Sequence, residues 1–97
     1  MKVKINVTQR DIDRGEYDSC LNCPNAIAIR RHLKSKYRNE LKVYKHYVET
    51  NSATLADMPA IAHDWISSYD QEEKVRPFTY ALDIPARYLR ANERKDR

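Results

Sequence analysis

Apolar and polar residues alternate at the start of the chain, where Val3, Ile5 and Val7 are separated by Lys4 and Asn6. A period of two puts the three apolar side chains on one face, as in a half-buried strand. Thr8 then offers a capping oxygen with Asp11 three residues on, which predicts a helical turn or two over 9–14. Gly15 reads as the left-handed residue that ends them, and Ile12 as their anchor to the core. After a turn over 18–23, Pro24 stands at a first helical position, where its missing N–H costs nothing. Ala26, Ile29, Leu33 and Tyr37 recur at helical spacing and predict a helix running to about residue 37. Residues 41–48 are rich in β-branched and aromatic types and read as a second strand. Their alternation is imperfect, so either a bulge breaks it or both faces are covered. A turn over 50–52 and a short returning strand over 53–56 follow.

Pro59 opens a second main helix. Met58, Ile61, Ala62, Trp65, Ile66 and Tyr69 form its apolar stripe, with Asp64, Ser67, Ser68 and Asp70 turned away. Phe78, Tyr80, Leu82 and Ile84 alternate with Thr79, Ala81 and Asp83, which predicts a strand that Pro85 ends. The fold class implied is α+β, a small three- or four-stranded sheet with two main helices packed on one face. Residues 1–85 form one domain in this reading. Residues 86–97 form a charged tail, partly disordered or a frayed helix.

The 97-residue length fits one small domain, which leaves little core for a large enclosed active site. The single glycine, Gly15, argues against a Gly-rich phosphate loop. No run of apolar residues is long enough to span a membrane, and the N-terminal residues lack a signal-peptide core. The expected location is cytoplasmic, where two cysteines are more often thiols or metal ligands than a disulfide. Charge is unevenly distributed. Residues 30–46 carry seven basic and one acidic side chain, and residues 47–84 carry two basic and seven acidic. Such separation steers partners without choosing a fold.

Three groups carry candidate chemistry. Cys20 and Cys23 have the Cys-x-x-Cys spacing of zinc sites and redox pairs. A closed zinc site needs two more ligands, and His32, His46 and His63 supply no second spaced pair. The plainer reading is two small residues closing a turn. Arg30, Arg31, Lys34 and Arg38 lie beside the apolar face of the first main helix, and Lys42, Tyr44 and Lys45 continue the basic stretch. Interleaved cations and aromatics suit a partner protein or nucleic acid. Asp64, Asp70, Glu72 and Glu73 can hold a cation or meet a basic partner, though a solvated helix end is the commoner meaning. No Ser/His/Asp elbow or His-Glu-x-x-His occurs, so no catalytic residue and no cofactor are assigned. Trp65 and Met58 read as core.

Val7-Thr8-x-x-Asp11-Ile12-x-x-Gly15, followed by Cys20-x-x-Cys23-Pro24-x-Ala26-x-Ala28-Ile29, resembles a group of short, uncharacterised proteins encoded by bacteriophages. The likeness covers residues 3–33 well and, through Pro77-Phe78-Thr79-Tyr80, residues 76–85 loosely. It implies a phage accessory protein acting in the bacterial cytoplasm, and carries over no catalytic residues. The expected function is non-enzymatic binding of a host or phage macromolecule, with an anti-defence or host-takeover role. The alternatives are a nucleic-acid-binding module using the basic face and tail, and a zinc or thiol protein using Cys20 and Cys23. The oligomeric state is left open.

Overall fold

A computed structural model describes residues 1–51 and 53–91. It shows the α+β class read from the sequence. In chain order the elements are β1 (Lys2–Val7), α1 (Gln9–Arg14), α2 (Pro24–Arg30), α3 (Ser35–Arg38), β2 (Lys42–Val43), β3 (Tyr47–Glu49), β4 (Thr54–Asp57), α4 (Ala60–Asp70) and β5 (Phe78–Asp83). A tight helical turn at Ala86–Tyr88 follows. The strands are divided between two antiparallel sheets, β1–β5 and β2–β3–β4. The first joins the two ends of the domain, with Val3 opposite Leu82 and Ile5 opposite Tyr80. Both sheets contribute to one core with α2, through Val3, Ile5, Leu82, Val43, Val48 and Leu55 among others.

The alternation over 2–7 gives β1 its buried face, with Val3, Ile5 and Val7 inside. Thr8 caps α1 by the expected reciprocal pair: Asp11 N–H donates to Thr8 Oγ1 at 3.2 Å, and Thr8 N–H donates to Asp11 Oδ2 at 3.0 Å. Gly15 is not left-handed; its φ is −72° and its ψ 162°. A glycine stands there because a Cβ would lie 2.5 Å from Cδ of the buried Pro24 ring.

The first main helix is shorter than its spacing predicts. It ends at Arg30, and residues 32–34 are drawn out to meet the C-terminal segment. Lys34 N–H donates to Tyr88 O at 2.9 Å, and Arg90 N–H donates to His32 O at 3.0 Å. Leu33 and Leu89, facing each other across this bridge, are both fully buried. Tertiary pairing therefore overrides the helical period, and helix resumes only as α3. Residues 86–91, expected to belong to a charged tail, cover the core through Tyr88 and Leu89. Residues 92–97 lie outside the described residues.

The second predicted strand is two strands. Its broken alternation is a hairpin turn over 44–46, closed by Tyr44 N–H donating to Tyr47 O at 2.8 Å. The returning strand over 53–56 is found as β4. In α4, Ala62, Ile66 and Tyr69 are buried as the stripe predicts, Trp65 is half-buried, and Ile61 is exposed.

Asp11 is 3% exposed and receives both terminal nitrogens of Arg31, at 2.8 and 2.7 Å. Burial pushes its carboxyl up, but the Arg31 hydrogen bonds and the Thr8 N–H outweigh it and leave the pKa below its usual 3.8. A carboxyl lowered on folding stabilises the protein above its unfolded pKa, and that contribution is lost as pH falls through the folded one. Asp11→Asn is expected to cost about 2 kcal/mol at pH 7 in urea melts, below a fully buried pair because Arg31 is half exposed. The gap between the two proteins should close as the pH is taken below about 4, and a gap independent of pH would refute the assignment. Gly15→Ala should destabilise by about 1–3 kcal/mol, since the clash with Pro24 exceeds the ~0.4–1 kcal/mol that alanine gains by restricting the unfolded chain. An unchanged urea midpoint would show that Pro24 can move aside.

Candidate functional site

The turn over 18–23 is folded back on itself and tied to its surroundings. Glu16 N–H donates to Asn22 O at 2.9 Å, and Asn22 N–H to Ser19 Oγ at 3.0 Å. Val43 N–H donates to Cys20 O at 2.8 Å, which pins the turn to β2. Cys23 is the cap of α2, its Sγ accepting from Ala26 N–H at 3.4 Å. Asp18 is in the left-handed region with φ 51°, and its N–H donates to Asp70 Oδ1 at 3.0 Å, joining the turn to the end of α4.

These ties leave a cleft of about 490 Å³ between the turn, the β2–β3 hairpin and α4. Buried Cys23, Pro24 and Asn25 form its floor. Tyr44 and Lys45 form the hairpin wall, and Trp65, Tyr69 and Asp70 the helix wall. Trp65 is held in a run of aromatic rings, stacked on Tyr69 at 5.5 Å and on Phe78 at 4.7 Å, both at 11°. Its indole N–H donates to Arg76 O at 2.8 Å. Tyr44 stacks on Tyr47 at 4.9 Å. His46, in the hairpin turn, meets His63 of α4 edge-on at 4.4 Å, and Met58 N–H donates to His46 O at 2.9 Å. Both walls are thereby fixed relative to each other.

The floor holds an orphan. Tyr80 OH donates to Asn25 Oδ1 at 2.6 Å, while Asn25 Nδ2 is buried without a hydrogen-bond partner among the described residues. An unmet buried donor costs about 1–3 kcal/mol. Burial raises the Tyr80 pKa and keeps the hydroxyl protonated as donor.

Burial raises the Tyr69 pKa, and the neighbouring Tyr17 and Cys23, then Asp70 and Glu16, raise it further. Desolvation raises that of Tyr44, with Cys20 and then Glu49 adding to it. Burial also pushes the Cys23 thiol up, against the N–H groups of Ala26 and Asn25, so it is a neutral packing thiol at pH 7. No three His, Cys, Asp or Glu side chains among the described residues are placed to hold a metal, so Cys20 and Cys23 have no third ligand.

The basic residues singled out in the sequence are dispersed. Arg31 is committed to Asp11 and to Asn6 O, and a glutamate in its place would face a buried carboxylate. Arg38 donates to Leu33 O at 3.1 Å. Arg30 and Arg38 share a shallow depression with Leu41. Lys34 stands at the N-cap position of α3 without a side-chain capping bond, and Lys42 lies opposite Glu49. Only Tyr44 and Lys45 of that group reach the cleft. Because the helix ends at Arg30, the expected continuous basic helix face does not form. Trp65, read as core, is only half-buried, and it lines the cleft together with Tyr69, which is itself buried. The signal that could have found them is the four-residue spacing of two large aromatics followed directly by Asp70.

No family model matches the chain, and no curated protein or solved structure matches it. Among the described residues, no helix is long and apolar enough to cross a membrane.

Cys20 is half-buried and Cys23 is 6% exposed. A disulfide reagent should therefore label one thiol quickly in the folded protein and the second only at the rate of unfolding. Two fast thiols, read by mass spectrometry, would contradict the capping role of Cys23.

Proposed function

We propose that the protein is a non-enzymatic binding module that engages a macromolecular partner, a protein in the first place, through the cleft between the hairpin and α4. The observation that carries this reading is the aromatic wall. Trp65, half-buried and held in a ring stack with the buried Tyr69 behind it, stands with Tyr44 on the walls of an open cleft with a rigid frame. Tryptophan and tyrosine side chains held in this way are the usual anchors of protein interfaces, because little conformational freedom is left to lose on binding.

The phage setting, and within it an anti-defence or host-takeover role, is supported by the resemblance of residues 3–33 to phage-encoded proteins. Binding of nucleic acid is the second reading, supported by the exposed Lys36 and Lys45. It is weakened by the internal commitments of Arg31 and Arg38, and it calls for a different dependence on salt.

The test is capture of partners from a bacterial lysate on the immobilised protein, with nuclease and a salt series in parallel. A discrete protein that survives nuclease, and is retained about tenfold less by Tyr44→Ala, is the expected result. Nucleic acid released steeply by salt, and insensitive to Tyr44→Ala, would replace this reading with the second.

A further inference from the structure

We infer that His46 and His63 form a binding site for one divalent transition-metal ion of the class that prefers imidazole: zinc, nickel or copper. The site lies outside the lining of the cleft and does not depend on the binding reading above.

The two side chains come from different elements, His46 from the turn between β2 and β3 and His63 from the start of α4. Their ring centroids are 4.4 Å apart, with the rings edge-on at 74°. Two imidazoles that share a metal ion, each nitrogen about 2.1 Å from it, hold their centroids about 4.5–5 Å apart. The pair therefore already stands at a chelating separation.

Each ring has a nitrogen to give. His63 Nε2 donates to Met58 O at 2.8 Å. A carbonyl only accepts, so the proton of the neutral ring is on Nε2 and the lone pair is on Nδ1. That Nδ1 has no hydrogen bond among the described residues and is not shut away from solvent. A carbonyl on the other ring nitrogen is the usual support of a metal-binding imidazole, because it fixes the tautomer and raises the basicity of the ligand. His46 is exposed, and its ring nitrogens have no hydrogen bond among the described residues. Its ring is free to turn a nitrogen toward the ion.

One buried residue holds both histidines in place. Met58 N–H donates to His46 O at 2.9 Å, and Met58 O accepts from His63. Little is left to reorganise when an ion binds. Among the described residues no third His, Cys, Asp or Glu completes the group, so water fills the remaining positions and the site is an open one. Two imidazoles select zinc, nickel or copper over magnesium and calcium, which take oxygen ligands.

The experiment is calorimetric titration of the untagged, folded protein with nickel chloride, beside magnesium chloride. It is repeated on His46→Gln, His63→Gln and Cys20→Ser. One nickel ion per chain is expected, bound at least about tenfold more tightly than by free imidazole, because the second ring acts at a high effective concentration. Magnesium should not bind. Each glutamine variant should lose about tenfold in nickel affinity, and Cys20→Ser should lose none. Glutamine at 63 keeps an N–H for Met58 O, so the metal-free urea midpoint should stay near that of the parent. Saturating nickel should raise the midpoint of the parent and not that of either glutamine variant.

Affinity no tighter than that of free imidazole would overturn the inference, as would a loss confined to one of the two glutamine variants. Loss in Cys20→Ser with both histidine variants unchanged would move the ion to the thiol and overturn it too. None of these outcomes bears on the cleft, whose partner retention is read separately through Tyr44→Ala.

Discussion

Helix α2 buries five of its seven residues, Pro24, Asn25, Ala26, Ala28 and Ile29, and so has almost no face to give to solvent. A helix so enclosed cannot rely on length for stability, since two turns are marginal alone. It depends on its ends. Cys23 accepts the Ala26 N–H at one end, and just beyond the other Arg31 reaches back to Asp11. Small residues on its sides let β1 and β2 approach. The proline ring that starts the helix lies so near Gly15 that no side chain fits between them. Three elements, α1, β1 and β2, pack directly on this one short rod.

The cleft is a by-product of the same constraint. The turn before α2 has to be held while leaving the helix start accessible from one side. It is held by single bonds to two separate elements, Cys20 O to β2 and Asp18 N–H to α4, and by Glu16 N–H donating to Asn22 O within the segment itself. Elements joined by isolated bonds rather than by packed faces leave space between them. Here that space is faced with aromatic rings that the core does not need to enclose.

Much of the fold could be read from local pattern. The alternations over 2–7 and 78–83, the capping pair Thr8 and Asp11, and the proline start at Pro24 depend on neighbours in sequence, and all are found. What could not be read depends on residues far apart. Leu33 leaves its helical register because Leu89 pairs with it, and nothing near residue 33 announces a partner more than fifty positions away. The hairpin over 44–46 lacks glycine, asparagine and proline, so a period-two pattern ran through it unmarked. The cleft was hidden for a related reason. The pattern of α4 showed which side of the helix is apolar, but not how much of that side its neighbours leave open. Trp65 at half burial and Ile61 in solvent are both products of that incomplete cover.

The pairing of β1 with β5 has a consequence for synthesis. Residues 2–7 leave the ribosome more than seventy positions ahead of their hydrogen-bonded partners, 78–83. Leu89, which pairs with Leu33 just beyond the central helix, emerges later still. Until then the chain carries an apolar strand with no mate and a helix without its cover. A topology that joins its first and last strands pays its loop-closure entropy before most of its contacts reward it, and folds slowly for its size. The β1–β5 pairing and the Leu33–Leu89 bridge therefore close only after residues 78–89 have been made.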